Sequence, residues 1–268
     1  MDNKPIGIFD SGAGGLTVAK EIMELLPNED IIYLGDTARF PYGPRRPEEL
    51  KLFVFEIINF LRVKEVKIIV VACNSSSATA MEAAQKHFDT PIIGVIEPGA
   101  RGAVLATRNR KIGVIGTKAT IDSEAYLKAI RTFDAGVEIY TQACLPFADL
   151  VERGQTEGEI VKKEVEKYLK PLISAQVDTL ILGCTHYPLL SKVIQEVVGE
   201  KVTLISSARE TAEEVKVTLK RKDILRNNKN YPGHRFISTN SNHKFQELSK
   251  RFLGSEIKEV ENAILSSN

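Results

Sequence analysis

The sequence predicts an α/β protein built from two pseudo-symmetric lobes, each a mainly parallel sheet flanked by helices. Short apolar, β-rich segments alternate with helical ones along the 268 residues, a pattern typical of parallel sheets covered on both faces. The second half then repeats the first: IGIFDS at residues 6–11 aligns with IGVIGT at 112–117, and DIIY at 30–33 with VEIY at 137–140. We expect the functional site in the cleft between the lobes. Two unrelated halves of an ordinary alternating fold are the alternative.

The first lobe is predicted from alternating strands and helices. Its strands are short runs rich in Ile and Val, a composition that suits strands buried on both faces of a sheet. They are predicted at residues 5–9, 30–34, 67–72 and 91–95. Its helices are longer segments whose apolar residues recur at helical spacing. They are predicted at residues 16–26, 48–62 and 76–87.

The second lobe repeats this pattern after a crossing at residues 97–100, where the sequence reads EPGA. Its strands are predicted at 111–115, 137–140, 179–182 and 202–205, and its helices at 123–131, 157–174 and 189–197. A helix at 208–219, a polar segment at 220–233, a strand at 235–238 and a helix at 243–252 follow. We expect this late strand, which has no sheet of its own, to return to the first lobe. The predicted lobes are therefore residues 1–97 plus 208–268, and residues 98–207.

Composition and charge exclude several classes of protein. Lys and Arg number 36 against 35 Asp and Glu, a formal net charge of +1, which indicates neither nucleic acid nor a membrane surface as partner. The longest apolar runs, such as residues 68–73, are far too short to span a bilayer, and the chain opens on MDNK without a signal-like apolar segment. Three cysteines, an odd number, argue against a disulfide framework. We expect a cytoplasmic protein.

Two of the three cysteines follow buried strands at matching places in the two halves. Cys73 comes after the third predicted strand and Cys184 after the seventh. A thiol where a strand ends and a helix begins meets the positive end of the helix dipole, which lowers its pKa toward the reactive thiolate. Because ligands bind outside the carboxyl ends of parallel strands, two thiols are expected to flank one cleft. Cys144 is left over and is expected to be a packed small side chain.

Paired thiols suit the inversion of a carbon centre. One sulfur removes a proton from one face of the carbon and the other returns a proton to the opposite face, which a single base cannot do without turning the substrate over. Asp10, at the end of the first strand, and His186, two residues after Cys184, are placed to tune the sulfurs and handle their protons.

Other familiar site types fit the sequence less well. The loop GAGG at residues 12–15 resembles a dinucleotide loop, but the third glycine of that motif would fall on Thr17. A nucleotide-phosphate P-loop is absent from the sequence. Cys73, Cys184 and His186 lack the spacing of metal ligands, so no metal is expected. A Cys-His hydrolase would leave the second thiol without a task. The loop glycines still suit a substrate carboxylate, which their bare backbone N–H groups can hold.

Short segments along nearly the whole chain together carry a resemblance. They are GIFDSG at 7–12, GGLTV at 14–18, GDTARFPYG at 35–43, ACN at 72–74, IGT at 115–117 with TI at 120–121, VERG at 151–154 and GCTHYPL at 183–189. With these segments the chain resembles the glutamate racemases of the aspartate/glutamate racemase superfamily, and the likeness weakens at residues 220–231. The resemblance implies interconversion of L- and D-glutamate without pyridoxal phosphate or another cofactor, supplying D-glutamate for peptidoglycan.

The resemblance also assigns roles to residues. It implies Cys73 and Cys184 as the two acid/base residues, with Asp10, Glu152 and His186 as supporting groups. The implied substrate contacts are Asp10, Ser11, Tyr42, Gly43, Asn74, Ser75, Thr117, Thr185 and His186. The expected partner is a small-molecule substrate, L- or D-glutamate, and a homodimer is one assembly we consider.

The chain departs from the family after ACN, where threonine and then a small apolar residue are usual. Here the sequence reads Ser75, Ser76 and Ser77. Ser75 keeps a hydroxyl that can meet a substrate carboxylate. Ser76 has no evident substrate role and is expected to cap the following helix.

Rival interpretations remain for the function and for single residues. A racemase of the same superfamily could act on aspartate or a hydantoin, and a two-lobed binder of soluble ligands would need no catalysis. The segments PYG at 41–43 and TH at 185–186 favour glutamate, and retention of both thiols argues against a binder. Asp10 could instead cap a helix, Glu152 could lie at a solvated helix end, and Tyr42 could be a packing residue.

Overall fold

The computed structural model describes residues 2–226, 232–240, 242–255 and 257–265; residues 227–231 of the predicted polar segment lie outside the described residues. The strands are β1 (Ile6–Asp10), β2 (Ile31–Gly35), β3 (Ile68–Val71), β4 (Ile92–Gly94), β5 (Lys111–Gly116), β6 (Glu138–Ala143), β7 (Thr179–Gly183), β8 (Thr203–Ser206), β9 (His234–Ser238) and β10 (Glu261–Asn262). The helices are α1 (Leu16–Leu25), α2 (Pro47–Val63), α3 (Asn74–His87), α4 (Ile96–Ala106), α5 (Lys118–Asp122), α6 (Ala125–Phe133), α7 (Leu145–Glu152), α8 (Glu159–Ser174), α9 (Ser191–Val198), α10 (Ser207–Arg221) and α11 (Asn242–Leu253). A 3₁₀ helix spans Tyr187–Leu190.

The described strands form two parallel sheets flanked by helices, which confirms the predicted fold class. The first sheet has the order β10-β9-β2-β1-β3-β4 and the second β6-β5-β7-β8. Each strand pairs in parallel with its neighbours. The order β2-β1-β3-β4 therefore recurs as β6-β5-β7-β8, as the repeated sequence segments predict. The late strand β9 pairs with β2, so its predicted return to the first sheet is confirmed.

Three helices of the structure are not predicted by the sequence: α4, α5 and α7. The chain passes from the first sheet to the second through α4, where the sequence suggests only an irregular crossing. Pro98 lies in the first turn of α4, where a backbone N–H has no partner within the helix, so the helix tolerates the proline. Helix α3 begins at Asn74 and has Cys73 as its N-cap, so the prediction that Ser76 caps this helix is wrong.

A continuous core joins the two halves of the molecule. The largest cluster of buried apolar side chains includes residues of both sheets, such as Ile8 of β1 and Leu182 of β7. Helix α10 packs against both α1 and α4. The lobe boundaries at residues 97 and 208 stay a prediction, because the sheets are separate while the core is shared. Within the described ranges, every helix is too short or too polar to cross a membrane.

A buried ion pair lies at the amino-terminal edge of the first sheet. Lys67 Nζ is 2.6 Å from Glu29 Oε2, and the two side chains are 1% and 2% exposed. The same ammonium donates to the backbone carbonyls of Asp2 and Ile224 at 2.9 and 2.8 Å. Glu29 Oε1 accepts the backbone N–H of Arg226 at 2.9 Å. The pair therefore holds the segment after α10 against the base of the sheet that β9 joins.

Candidate active site

The predicted site residues lie at the carboxyl ends of strands from both sheets. Asp10 ends β1, and Cys73 follows β3 as the N-cap of α3. In the second sheet Thr117 follows β5 as the N-cap of α5, and Cys184 follows β7. Asp10, Cys73 and Cys184 are buried. Because parallel strands of one sheet end at the same edge, each sheet presents its polar residues on one side.

Hydrogen bonds between the two sheets bring these edges together. Ser75 Oγ lies 2.9 Å from Thr117 Oγ1. The Thr185 hydroxyl donates to Asp10 Oδ1 at 3.5 Å, and the Tyr126 hydroxyl donates to Asn74 Oδ1 at 2.8 Å. Each contact joins a residue of the predicted first lobe to a residue of the predicted second lobe. The structure thus gathers the candidate residues of both halves into one place.

Cys184 belongs to a chain of polar contacts that ends on a carboxylate. Its Sγ lies 3.7 Å from His186 Nδ1, and His186 Nε2 lies 3.0 Å from Glu152 Oε1. Lys244 of α11 lies 3.4 Å from the other carboxylate oxygen of Glu152. The Glu152 side chain is 11% exposed, so it does not lie at a solvated helix end. Helix α7 ends at this residue and so positions the carboxylate next to the imidazole.

The imidazole of His186 favours its charged form. Burial opposes the charge, but the hydrogen bonds to Cys184 and Glu152 outweigh it and raise the pKa of His186 to about 10. Burial also opposes the charge of Glu152, which would raise its pKa. The contacts with His186 and Lys244 outweigh burial, so the pKa of Glu152 is lowered. An imidazolium beside Cys184 and a carboxylate behind it form an arrangement that can stabilise negative charge on the sulfur.

The raised pKa of His186 gives a testable pH dependence of stability. The folded protein keeps this proton up to about pH 10, whereas the unfolded chain loses it near 6.5, the ordinary pKa of histidine. Between these values His186 holds a proton in the folded state that it has lost in the unfolded chain, so its contribution to stability falls as pH rises, with a limiting slope of about 1.4 kcal/mol per pH unit. We expect His186→Asn to remove this part of the slope. Urea unfolding at pH 7, 8, 9 and 10 measures it, and equal slopes in both proteins would contradict the assignment.

Cys73 has different surroundings from Cys184. Its thiol donates to Ser11 Oγ at 3.9 Å. Burial raises the pKa of Cys73 to about 12, and the neighbouring carboxyl of Asp10 adds to the effect. The expectation that the helix dipole leaves this thiol with a lowered pKa is therefore wrong. The chain after Cys184 also differs from the predicted strand-to-helix junction, since a short 3₁₀ helix at Tyr187–Leu190 comes before the next α-helix.

Asp10 organises the glycine loop instead of capping α1. Its Oδ2 accepts the backbone N–H of Gly12 at 3.1 Å, whereas the N-cap of α1 is Gly15. Burial raises the pKa of Asp10, while His186 and the loop amides oppose the shift. A Cβ added at Gly14 would lie 2.5 Å from Thr185 Oγ1, so glycine is needed for the close approach of the two halves here.

Tyr42 is partly a packing residue. Its ring is buried and packs on Phe53, with ring centroids 5.5 Å apart, and its hydroxyl donates to Asp36. The next residue, Gly43, accepts the backbone N–H of Ala119 at 3.1 Å, which ties this turn to α5 of the second half. The hydroxyl of Tyr42 is thus held by Asp36, and the turn lies beside Thr117.

The structure adds residues to the site that the sequence does not single out. Asp36 is fully buried and accepts hydrogen bonds from Tyr42, Arg39 and Thr239. The only sign of Asp36 in the sequence is its position within the segment GDTARFPYG at residues 35–43. Tyr126 orients Asn74 from the first turn of α6, where nothing in the sequence distinguishes it.

The remaining candidates are a metal site and the third cysteine, Cys144. Across the part of the chain that the structure describes, no three His, Cys, Asp or Glu side chains are grouped as a metal site would require. Cys144 is buried in the core, and burial raises the pKa of its thiol.

Comparison with known proteins places this geometry in a family. The Asp/Glu/Hydantoin racemase family matches residues 6–215. A glutamate racemase from Exiguobacterium sibiricum is 49% identical over 251 residues, which cover 94% of this chain and 93% of that protein. The crystal structure of glutamate racemase isoform RacE1 from Bacillus anthracis has a TM-score of 0.95 at 46% identity, covering 99% of both chains. The glutamate racemase of Francisella tularensis, solved in complex with D-glutamate, has a TM-score of 0.94 at 36% identity over 100% of both chains. The chain therefore belongs to the Asp/Glu/Hydantoin racemase family, among the glutamate racemases.

Proposed function

We propose that this chain interconverts L- and D-glutamate by proton transfer through two thiols, without a cofactor. The observation that carries the proposal is the pair Cys73 and Cys184, two buried thiols that follow the topologically equivalent strands β3 and β7. Each has its own polar surroundings, Ser11 with Asp10 on one side and His186 with Glu152 on the other. The relatives named glutamate racemase support glutamate as substrate.

The contrast between the two thiols suits an acid and a base. With its pKa raised to about 12, Cys73 keeps its proton at neutral pH and can donate it. Cys184 lies 3.7 Å from the imidazole of His186, which stays charged at neutral pH and stabilises a thiolate there. Cys184 then removes the α-proton from one face of the substrate, and Cys73 protonates the other face. The enzyme is left with a Cys184 thiol and a Cys73 thiolate, which is the form that the reverse reaction requires.

Two sets of donors are proposed for the two carboxylates of the substrate. Asn74, Ser75 and Thr185 are proposed to hold the carboxylate next to the reacting carbon. The amide nitrogen of Asn74 is buried and has no hydrogen-bond partner among the described residues, while its oxygen accepts from Tyr126. A buried donor without a partner is costly unless a ligand accepts from it, so this amide supports a bound carboxylate. Ser11 and the turn at Tyr42 and Gly43 are proposed to hold the second carboxylate.

The wider setting belongs to the same proposal. As in the family it resembles, the chain is proposed to supply D-glutamate for peptidoglycan in the cytoplasm. We also propose that the chain forms a homodimer, and its mass in solution tests this.

A comparison of glutamate with aspartate tests the proposed substrate. Aspartate is one methylene shorter, so it cannot reach both sets of donors without moving its α-carbon from between the sulfurs. A misplacement of about 1 Å can cost roughly 10²-fold in rate. We expect kcat/KM for glutamate to exceed that for aspartate by at least about 10²-fold. Loss of circular dichroism from each L-enantiomer, without added cofactor, measures both rates. Equal or faster turnover of aspartate would assign the chain a different substrate, and no turnover of either would reject a racemase.

A further inference from the structure

Ser76 carries a buried hydroxyl without a hydrogen bond of ordinary geometry among the described residues. Its side chain is fully buried, and its Oγ lies close enough to the Cys73 sulfur to lower the pKa of that thiol. The flanking serines are satisfied, since Ser75 pairs with Thr117 at 2.9 Å and Ser77 donates to the carbonyl of Val71 at 2.8 Å. A buried hydroxyl without a partner costs stability.

The position of Ser76 on α3 places it against Cys73. Cys73 is the N-cap of the helix, so Ser76 is the third helical residue. At a helix start, the side chain of the N-cap residue accepts the backbone N–H of this third residue. Here the N-cap atom is a sulfur, and it accepts no hydrogen bond of ordinary geometry from this amide. Its proton points instead to Ser11 Oγ, 3.9 Å away.

The other groups that face the sulfur disfavour a negative charge on it. Burial and the carboxyl of Asp10 raise the pKa of Cys73, and Cys184 adds to the effect. Tyr33 and Tyr42 also lie close enough to interact with Cys73. The hydroxyl and the backbone amide of Ser76 are the groups that act in the opposite direction and lower the pKa of Cys73.

We propose that Ser76 is a positioning residue that stabilises the thiolate of Cys73 during racemisation. When Cys73 has delivered its proton to the substrate, the sulfur becomes an acceptor, and the Ser76 hydroxyl and amide donate to it. The thiol form does not need this donor, because its proton is directed to Ser11. This inference rests on the proposed function, in which Cys73 is a thiolate for half of the cycle.

The variant Ser76→Ala tests this role through the reactivity of Cys73. Only a thiolate attacks the methylene carbon of iodoacetamide, forming the C–S bond as iodide leaves. Loss of a hydrogen bond to a charged group lowers the thiolate fraction about tenfold, and the higher nucleophilicity of the more basic sulfur offsets part of this loss. We expect Cys73, followed by mass spectrometry of its peptide at pH 8, to be alkylated about threefold more slowly. We expect kcat/KM for glutamate to fall about tenfold.

Thr79→Ala is the matched control, because Thr79 lies on the same helix and its hydroxyl donates to the carbonyl of Ser75 at 2.8 Å. We expect it to change neither rate. If Ser76 were only a packing residue, its truncation would open the site and leave alkylation equal or faster, which would overturn the inference. If Ser76→Ala slows alkylation in a protein that shows no racemase activity, the role of Ser76 toward the sulfur stands and the proposed function fails.

Discussion

Cys73→Ala and Cys184→Ala are each expected to lower kcat/KM by about 10³-fold or more, for both enantiomers. Each sulfur addresses one face of the α-carbon, and no second group replaces it there. General acid or base groups contribute about 10²–10⁴-fold each. Because the enantiomers have equal free energy in water, kcat/KM in the two directions must fall together even though only one thiol is removed. Circular dichroism starting from L- and from D-glutamate measures both directions.

The chain offers a matched control for these variants. Cys144 is a third buried thiol, which follows β6 as the N-cap of α7, and its Sγ donates to the carbonyl of Gln142 at 3.7 Å rather than to a candidate site residue. Cys144→Ala is expected to keep kcat/KM within about twofold of the unaltered protein, since it removes a sulfur without touching the proton path. Turnover within tenfold of the unaltered rate in either Cys73→Ala or Cys184→Ala would reject the two-thiol mechanism.

Lys67→Ala is expected to lower the free energy of unfolding by about 3–5 kcal/mol. It leaves the carboxylate of Glu29 buried without its ammonium partner, and it removes the donor to the carbonyls of Asp2 and Ile224. Breaking one side of a buried pair is costlier than the pair's net contribution, because the remaining charge stays desolvated. Urea unfolding at pH 7 measures the change.

Lys86→Ala is the control for this prediction. Lys86 and Glu82 have the same 2.6 Å separation, but their side chains are 74% and 84% exposed. Water and salt screen exposed pairs, so little change in the free energy of unfolding is expected. Similar losses in both variants, or a loss below about 1 kcal/mol for Lys67→Ala, would show that burial does not set the value of this pair.

The parts of the fold that depend on local pattern can be predicted from the sequence. Strands such as β1 and β7 are short apolar runs with polar residues directly after them, and both are found where the pattern places them. Helix α4 is missed because Pro98 and Gly99 normally interrupt helices, whereas in the first turn they do little harm. Lys67 pairs with Glu29 and with the carbonyl of Ile224, which are distant in the sequence, so no local sequence pattern predicts these contacts.

In the site, too, features set by local sequence can be predicted, whereas features set by contacts between distant residues cannot. The positions of Cys73 and Cys184 follow from strand ends, which are local. The raised pKa of Cys73 depends on burial and on Asp10, a residue of another strand, and the helix dipole alone predicts the opposite direction. The hydrogen bond of Tyr126 with Asn74 crosses between the two halves, which no segment of sequence reveals.

The location of deuterium early in the reaction tests most directly whether two groups act on opposite faces of the carbon. L-glutamate is incubated with the protein in deuterium oxide, without added cofactor, and the reaction is stopped below about a tenth of full conversion. The enantiomers are separated, and the α-position of each is examined by proton NMR. With two thiols, the D-glutamate formed carries deuterium while the remaining L-glutamate keeps its proton. Deuterium entering the L-glutamate as fast as D-glutamate forms would show that one base serves both faces and would contradict the two-thiol mechanism.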